Sequence, residues 1–341
     1  MNSSIITAIV ILVAFASFGD AVRFAVQVLD ERTALPVPGV EVSGGFKTDR
    51  GVWSRDRYAY EYKQYVTDKS GRVEIRGKSN CGEAGWAVDR ADGYYYPVHG
   101  SGVPRFREKN LFGVWQPDNV VVTVKLQRVE QPIPLWVKGV WGHDKEVFPR
   151  EKDELLFDCF VGDWLPPAGN GKVADIKFTR LPTQSFGIGE NIGIKAESYR
   201  DSMKVEFLGA DNGLYEMHPM ANAALKIRIA PESGYVPNYL CWKGRDLKLK
   251  RESNYDEKRC FCFRIRTRRD EKGIIKEAYY GKIYGDITFN FSVNPVVPVA
   301  SVEMLYYLNP TSLDRNLEWD RVHNLCPNPG DVGYSVGNRQ P

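Results

Sequence analysis

Near the C-terminus, Gly333-Tyr334-Ser335-Val336-Gly337 spells a G-x-S-x-G nucleophile elbow. That motif places a serine on a sharp strand-to-helix turn and needs an acid and a histidine further along the chain. Only four residues follow Gly337 here, so neither the helix nor the partners are expected for Ser335. Gly187-x-Gly189-x-x-x-Gly193 has the wrong spacing for a dinucleotide loop and reads as turns. His99, His143, His218 and His323 are far apart, which excludes a zinc-binding helix, and Cys260-x-Cys262 lacks the second close pair of a zinc site. Two carboxylates about 5–10 Å apart would suit a glycosidase, and Glu318 and Asp320 are the candidate acidic pair if the chain is an enzyme. His143-Asp144 could likewise pair a base with its orienter. The simpler reading of Asp314 to Asp320 is a turn, with Asn309 or Thr311 capping a short helix and Arg315 tying carbonyls or carboxylates. No catalytic residue, cofactor or metal is therefore assigned.

Binding residues are easier to nominate. Tyr94, Tyr95 and Tyr96 are consecutive, and a strand points neighbouring side chains to opposite faces, so at least one ring is expected outside, as a sugar- or partner-stacking edge. At the start of Cys260 to Tyr284, Phe261, Phe263, Ile265 and Thr267 share one strand face, while Cys260, Cys262, Arg264, Arg266 and Arg268 share the other. The arginine row is a candidate anion stripe, or more simply a solvated face answered by acids. Asp270-Glu271-Lys272-Gly273 turns the chain, Ile275 to Tyr284 returns antiparallel, and a symmetric turn sets Arg266 opposite Glu277. On that polar face both cysteines are expected to bridge to a neighbouring segment.

These residues sit in a chain of 341 residues with net charge +3. Such a balance gives no reason to invoke nucleic acid, whose binders concentrate basic charge on one face. Ile5 to Phe15 is an apolar run of signal-peptide length followed by small residues, with cleavage expected after Ala21 or, alternatively, Ala16. No later segment is apolar enough to span a bilayer as a helix. Export and six cysteines (Cys81, Cys159, Cys241, Cys260, Cys262, Cys326) together point to disulfides of undetermined pairing.

The elements that must position these groups are short strands. Phe24, Val26 and Val28 alternate with Ala25, Gln27 and Leu29; Pro36-Val37-Pro38-Gly39-Val40-Glu41-Val42 enters a second strand; Val66 to Ile75 carries a hairpin signal built on Asp68 and Gly71; Asn119 to Leu126 closes the unit. A strand, then Pro-Val-Pro-Gly-Val-x-Val, then Thr-Asp-x-x-Gly-x-Val-x-Ile resembles the carboxypeptidase regulatory-like, transthyretin-type sandwich. The resemblance covers about a third of the chain and implies a seven-stranded Greek-key sandwich without activity of its own. Pro132 and Pro134 mark a stiff junction, and strand-like runs continue beyond it, with helix expected only at Met220 to Ile227 and Asn309 to Leu317. Gly162-Asp163-Trp164, Gly171 to Asp175, Phe263 to Thr267, Tyr280 to Asp286, Tyr306 to Thr311 and Asp314 to Asp320 resemble a bacterial secreted family that carries the regulatory-like domain and has no assigned reaction.

The expected fold is all-β: a signal peptide over 1–21, the sandwich over 22–128, and a larger β-rich domain with little helix over 129–341. The expected function is a non-catalytic binding or scaffolding protein of the bacterial cell envelope, periplasmic, envelope-associated or secreted. Its partner would be an envelope protein or a glycan. A secreted hydrolase of polysaccharide or peptide, and a carbohydrate-binding accessory module, are the alternatives.

Overall fold

Alternation dominates the first strand. Phe24, Val26 and Val28 are fully buried, and they face the equally buried Val42 and Phe46 of the next strand. The computed structural model describes residues 20–95, 106–140, 147–148, 154–217, 227–256, 259–291 and 300–327. The signal-like run, Tyr96, His99, His143-Asp144, His218 and Ser335 lie outside these residues, as does Met220 to Lys226. Among the described residues the regular structure is strand throughout. The chain divides into two units, Met1–Val129 and Glu130–Arg339.

In the first unit the strands are β1 (Ala21–Asp30), β2 (Glu41–Asp49), β3 (Tyr58–Val66), β4 (Arg72–Lys78), β5 (Ala84–Arg90), β6 (Tyr94–Tyr95), β7 (Glu108–Lys109), β8 (Trp115–Gln116) and β9 (Val120–Arg128). They form a four-stranded sheet, β4-β1-β9-β6, and a three-stranded sheet, β3-β2-β5, with β7 and β8 as a separate pair. Seven strands in two layers enclose one core. Those layers approach closely: a Cβ on Gly77 of β4 would stand 2.4 Å from the Phe46 ring of β2. The Asp68 turn forms as its residues dictate, with Oδ1 accepting from Ser70 N at 2.8 Å and Gly71 at φ +68°. It does not close a hairpin, however. β3 pairs with β2 whereas β4 pairs with β1, so the turn carries the chain from one sheet to the other.

The second unit contains β10 (Ile133–Val140), β11 (Val147–Phe148), β12 (Glu154–Asp158), β13 (Asp163–Trp164), β14 (Ile176–Asn191), β15 (Ile194–Phe207), β16 (Gly213–Met217), β17 (Asn238–Arg245), β18 (Arg251–Ser253), β19 (Cys260–Arg269), β20 (Ile275–Phe291), β21 (Ala300–Leu308) and β22 (Trp319–Asn324). One sheet runs β16-β19-β20-β21-β10-β22 with β11 on β21, and the other runs β13-β12-β14-β15-β17-β18. Phe157 of one sheet meets Tyr306 of the other edge to face, and within each sheet Trp164 and Phe178, or Phe263, extend the same core through further edge-to-face contacts.

The larger sheet is covered on its other face too. Ile227, Ala230 and Leu317 pack over Cys260 and Cys262, so Cys260 to Ile265 is buried on both sides. This overturns the solvated face expected for the cysteines and Arg264. Both cysteines are free thiols, as are the other four, in place of the expected disulfides. Burial pushes the Cys262 thiol up to about 12, which keeps it protonated. Asn309 to Leu317 is no helix: Asn309 is fully buried, donates to Asp314 and Asn316, and accepts from Thr311 N, which knits an irregular turn.

Candidate functional site

The β19–β20 hairpin decides where the arginines go. Asp270 N bonds Ile274 O at 2.9 Å and Gly273 takes φ +77°, so the turn falls where its residues place it. The ladder then runs out of symmetric register, with Ile265 opposite Tyr279. A bulge follows, in which Arg266 takes φ +53°, and Arg268 arrives opposite Glu277 with Nε 3.3 Å from its carboxylate. The expected Arg266–Glu277 pair is thus replaced by Arg268–Glu277.

Released from the strand's alternation, Arg266 joins Asp158 and Asp175, both almost fully buried. Its Nε donates to Asp175 Oδ1 at 2.8 Å, and Nη2 donates to Asp175 Oδ2 at 2.9 Å and Asp158 Oδ1 at 2.8 Å. The guanidinium also lies 4.5 Å from the Phe160 ring centroid. Burial pushes the Asp158 carboxyl up, but the backbone N–H groups of Lys172, Val173 and Val161 outweigh it and hold the group below its usual range. At Asp175 burial wins over the pull of Arg266, and the carboxyl is raised. Every oxygen of this knot is occupied by protein donors, which makes it a structural clamp with no free face for a substrate.

Arg264, 5% exposed, donates to Asp211 O and Glu232 O and stacks on Tyr235, so of the three nominated arginines only Arg268 is exposed. Glu318, 4% exposed, accepts from Glu130 N at 2.8 Å and Gln131 N at 2.6 Å. Asp320 accepts from Val322 N and His323 N, with Oδ2 2.8 Å from His323 Nδ1. The acidic pair is therefore engaged in holding backbone turns. No group of three or more metal-ligating side chains gathers among the described residues.

Tyr95 is 6% exposed, contrary to a role on a stacking edge. Tyr94 is half-buried; its hydroxyl donates to Asp30 and accepts from Arg128 Nη2 at 2.9 Å. The exposed rings are elsewhere. Tyr58, Tyr60 and Tyr62 alternate along β3 and stand out from the three-stranded sheet at 40%, 56% and 70% exposure. The Tyr60 and Tyr62 rings are stacked, 6.3 Å apart and 18° from parallel, close to the two-residue advance of a strand. Beside them the sheet is bare: Gly45 and Gly85 pair directly across β2 and β5, and Tyr62 lies over Gly45. The resulting groove, about 420 Å³, has the Lys47–Glu83 ion pair (2.7 Å) and Ser43 on its lining. Ser43 Oγ in turn donates to Asp89. Lys47 Nζ also sits 4.0 Å from the Tyr58 ring centroid. Sequence reasoning passed over these tyrosines, although the spacing Tyr58-Ala59-Tyr60-Glu61-Tyr62 was the available signal: a strand that puts aromatics at every second position puts them all on one face.

No family model matches the chain, and no curated protein does. Two solved structures are similar. A streptococcal ancillary pilin shares 14% identity over 52% of this chain and 58% of its own length, at a TM-score of 0.21. The major pilin subunit of Bacillus cereus, BcpA, shares 12% identity over 83% of this chain and 95% of its own, at a TM-score of 0.23. The chain thus spans a little over half the length of the first.

Proposed function

We propose that this chain is a non-catalytic binding protein of the bacterial cell envelope whose first unit holds a glycan against Tyr60 and Tyr62. The observation that carries the reading is the pair of exposed, near-parallel rings beside a floor of glycine. A sugar ring presents apolar C–H groups above and below its plane and hydroxyls around its rim. Parallel aromatic faces suit the former, and the ion pair Lys47–Glu83 and the pair Ser43–Asp89 suit the latter. The two-layer, seven-strand arrangement of the first unit supports the likeness to carboxypeptidase regulatory-like sandwiches, which serve as modules without chemistry of their own. Export to the envelope rests on the apolar N-terminal run and agrees with this role. The purely structural reading is that Tyr62 shields Gly45.

Titration of soluble envelope glycans into the protein, followed calorimetrically, separates the two. Tyr60→Ala and Tyr62→Ala should each weaken binding by about ten-fold, equivalent to about 1.4 kcal/mol. Binding that survives in the double variant, or a chain that hydrolyses the glycan without stoichiometric binding, overturns the proposal.

A further inference from the structure

In the second unit, β18 ends the six-stranded sheet, and there Arg245 of β17 stands directly opposite Arg251. Like charges in directly opposed antiparallel positions repel, and natural sheets usually answer them with acids. Among the described residues neither arginine has an ion-pair or hydrogen-bond partner for its guanidinium. Tyr199 pairs with Arg245 from the other side, so ring, guanidinium and guanidinium form a row across three strands. Lys243, two residues before Arg245 and therefore on the same face, donates to Phe289 O at 2.8 Å and Asn290 Oδ1 at 3.1 Å. Burial lowers its pKa against the opposing pull of Asp201 and Glu303.

These side chains line a groove of about 480 Å³ between β17–β18 and the Ile287 to Phe289 stretch of β20. Three cations line it and Glu252 is the sole acid among its lining residues. The volume lies in the range of small-molecule sites, roughly 300–1,000 Å³, and exceeds what a bare inorganic ion fills. Tyr199, Tyr255 and Phe289 supply walls for an organic body.

We infer that this groove binds a small organic oxyanion, its phosphate, sulfate or carboxylate group seated between Arg245 and Arg251. Guanidinium groups present paired N–H donors that match such oxyanions, and the bound charge removes the repulsion that the free pair carries. The site is independent of the tyrosine row in the first unit.

Calorimetric titration of the full chain with glucose 6-phosphate, glucuronate, inorganic phosphate and glucose tests it. Binding of glucose 6-phosphate, of glucuronate or of both, with none by glucose, supports the inference, and the choice between the two names the oxyanion's source. Arg245→Gln and Arg251→Gln should each weaken that binding at least about ten-fold, and added salt should weaken it in the native chain. Because Arg251→Gln also removes a like-charge pair, its Tm should equal or exceed that of the native chain, which sets loss of a ligand contact apart from loss of folding. The inference is overturned if none of the probes binds, if inorganic phosphate alone binds, if binding survives in both variants, or if Arg251→Gln lowers Tm.

Discussion

Removing Arg266 tests whether the second sandwich is held by its buried charge clamp. Arg266→Met keeps an unbranched apolar side chain and deletes three charge-assisted hydrogen bonds to Asp158 and Asp175, together with the guanidinium's contact with the Phe160 ring. Asp158 retains four backbone donors, whereas Asp175 retains Cys159 N. Orphaning one side of a buried pair costs about 3–5 kcal/mol, and the partial exposure of Arg266 (24%) places the loss near the lower figure. At about 2–4 °C per kcal/mol for a unit of this size, Tm should fall by about 6–12 °C. The pH dependence has a definite sign. Asp175 has a raised folded pKa, so what it contributes is full below its unfolded value and is lost as pH rises through the folded pKa. Without Arg266 that pKa rises further. Asp158 has a lowered pKa, so its contribution is present above the unfolded value and is lost as pH falls through the folded one; without Arg266 less of it exists to lose. Both effects make the variant's deficit smaller near about pH 4 than near about pH 7. Adding Asp175→Asn to the variant should recover at least about 1 kcal/mol in a double-mutant cycle. Scanning calorimetry of the four proteins at both pH values is the assay. A loss under about 1 kcal/mol, the size of a surface pair, or an identical deficit at both pH values refutes the reasoning.

Gly281→Ala would place a Cβ 2.1 Å from the Phe263 ring and 2.5 Å from Tyr307 O, where three strands of the large sheet meet. A loss of about 1–3 kcal/mol or more is expected in denaturant melts, and an unchanged midpoint would contradict the packing. Thiol labelling should find Cys81 modified in the native protein and the five buried cysteines modified only after unfolding, with no change on prior reduction. Fewer than six labels in denaturant without reductant, counted by mass spectrometry, would reveal a disulfide.

Strand identity was legible because it is a local property. Phe24, Val26 and Val28 alternate, Asp68 and Gly71 make their turn, and Asp270 to Gly273 reverses the chain without help from distant residues. Which sheet a strand joins was not legible. β3 and β4 flank a well-formed turn and still separate into different layers, because pairing is settled by the core each strand faces, and that core is assembled from residues far apart in sequence.

Composition and local patterning suffice for an all-β chain with alternating apolar positions, near-neutral charge and no local catalytic motif. Tertiary structure alone decided the fate of the polar residues. Alternation assigns Arg264 and Arg266 to one face of β19, but only the covering segment around Ile227 and Leu317 made that face interior. A single bulge at φ +53° then sent Arg266 to the carboxylates of another sheet. The same limit hid the two grooves for which ligands are proposed: solvent exposure of Tyr60 and the facing of Arg245 on Arg251 depend on what a neighbouring strand leaves uncovered or places opposite, and no periodicity within one strand contains that information.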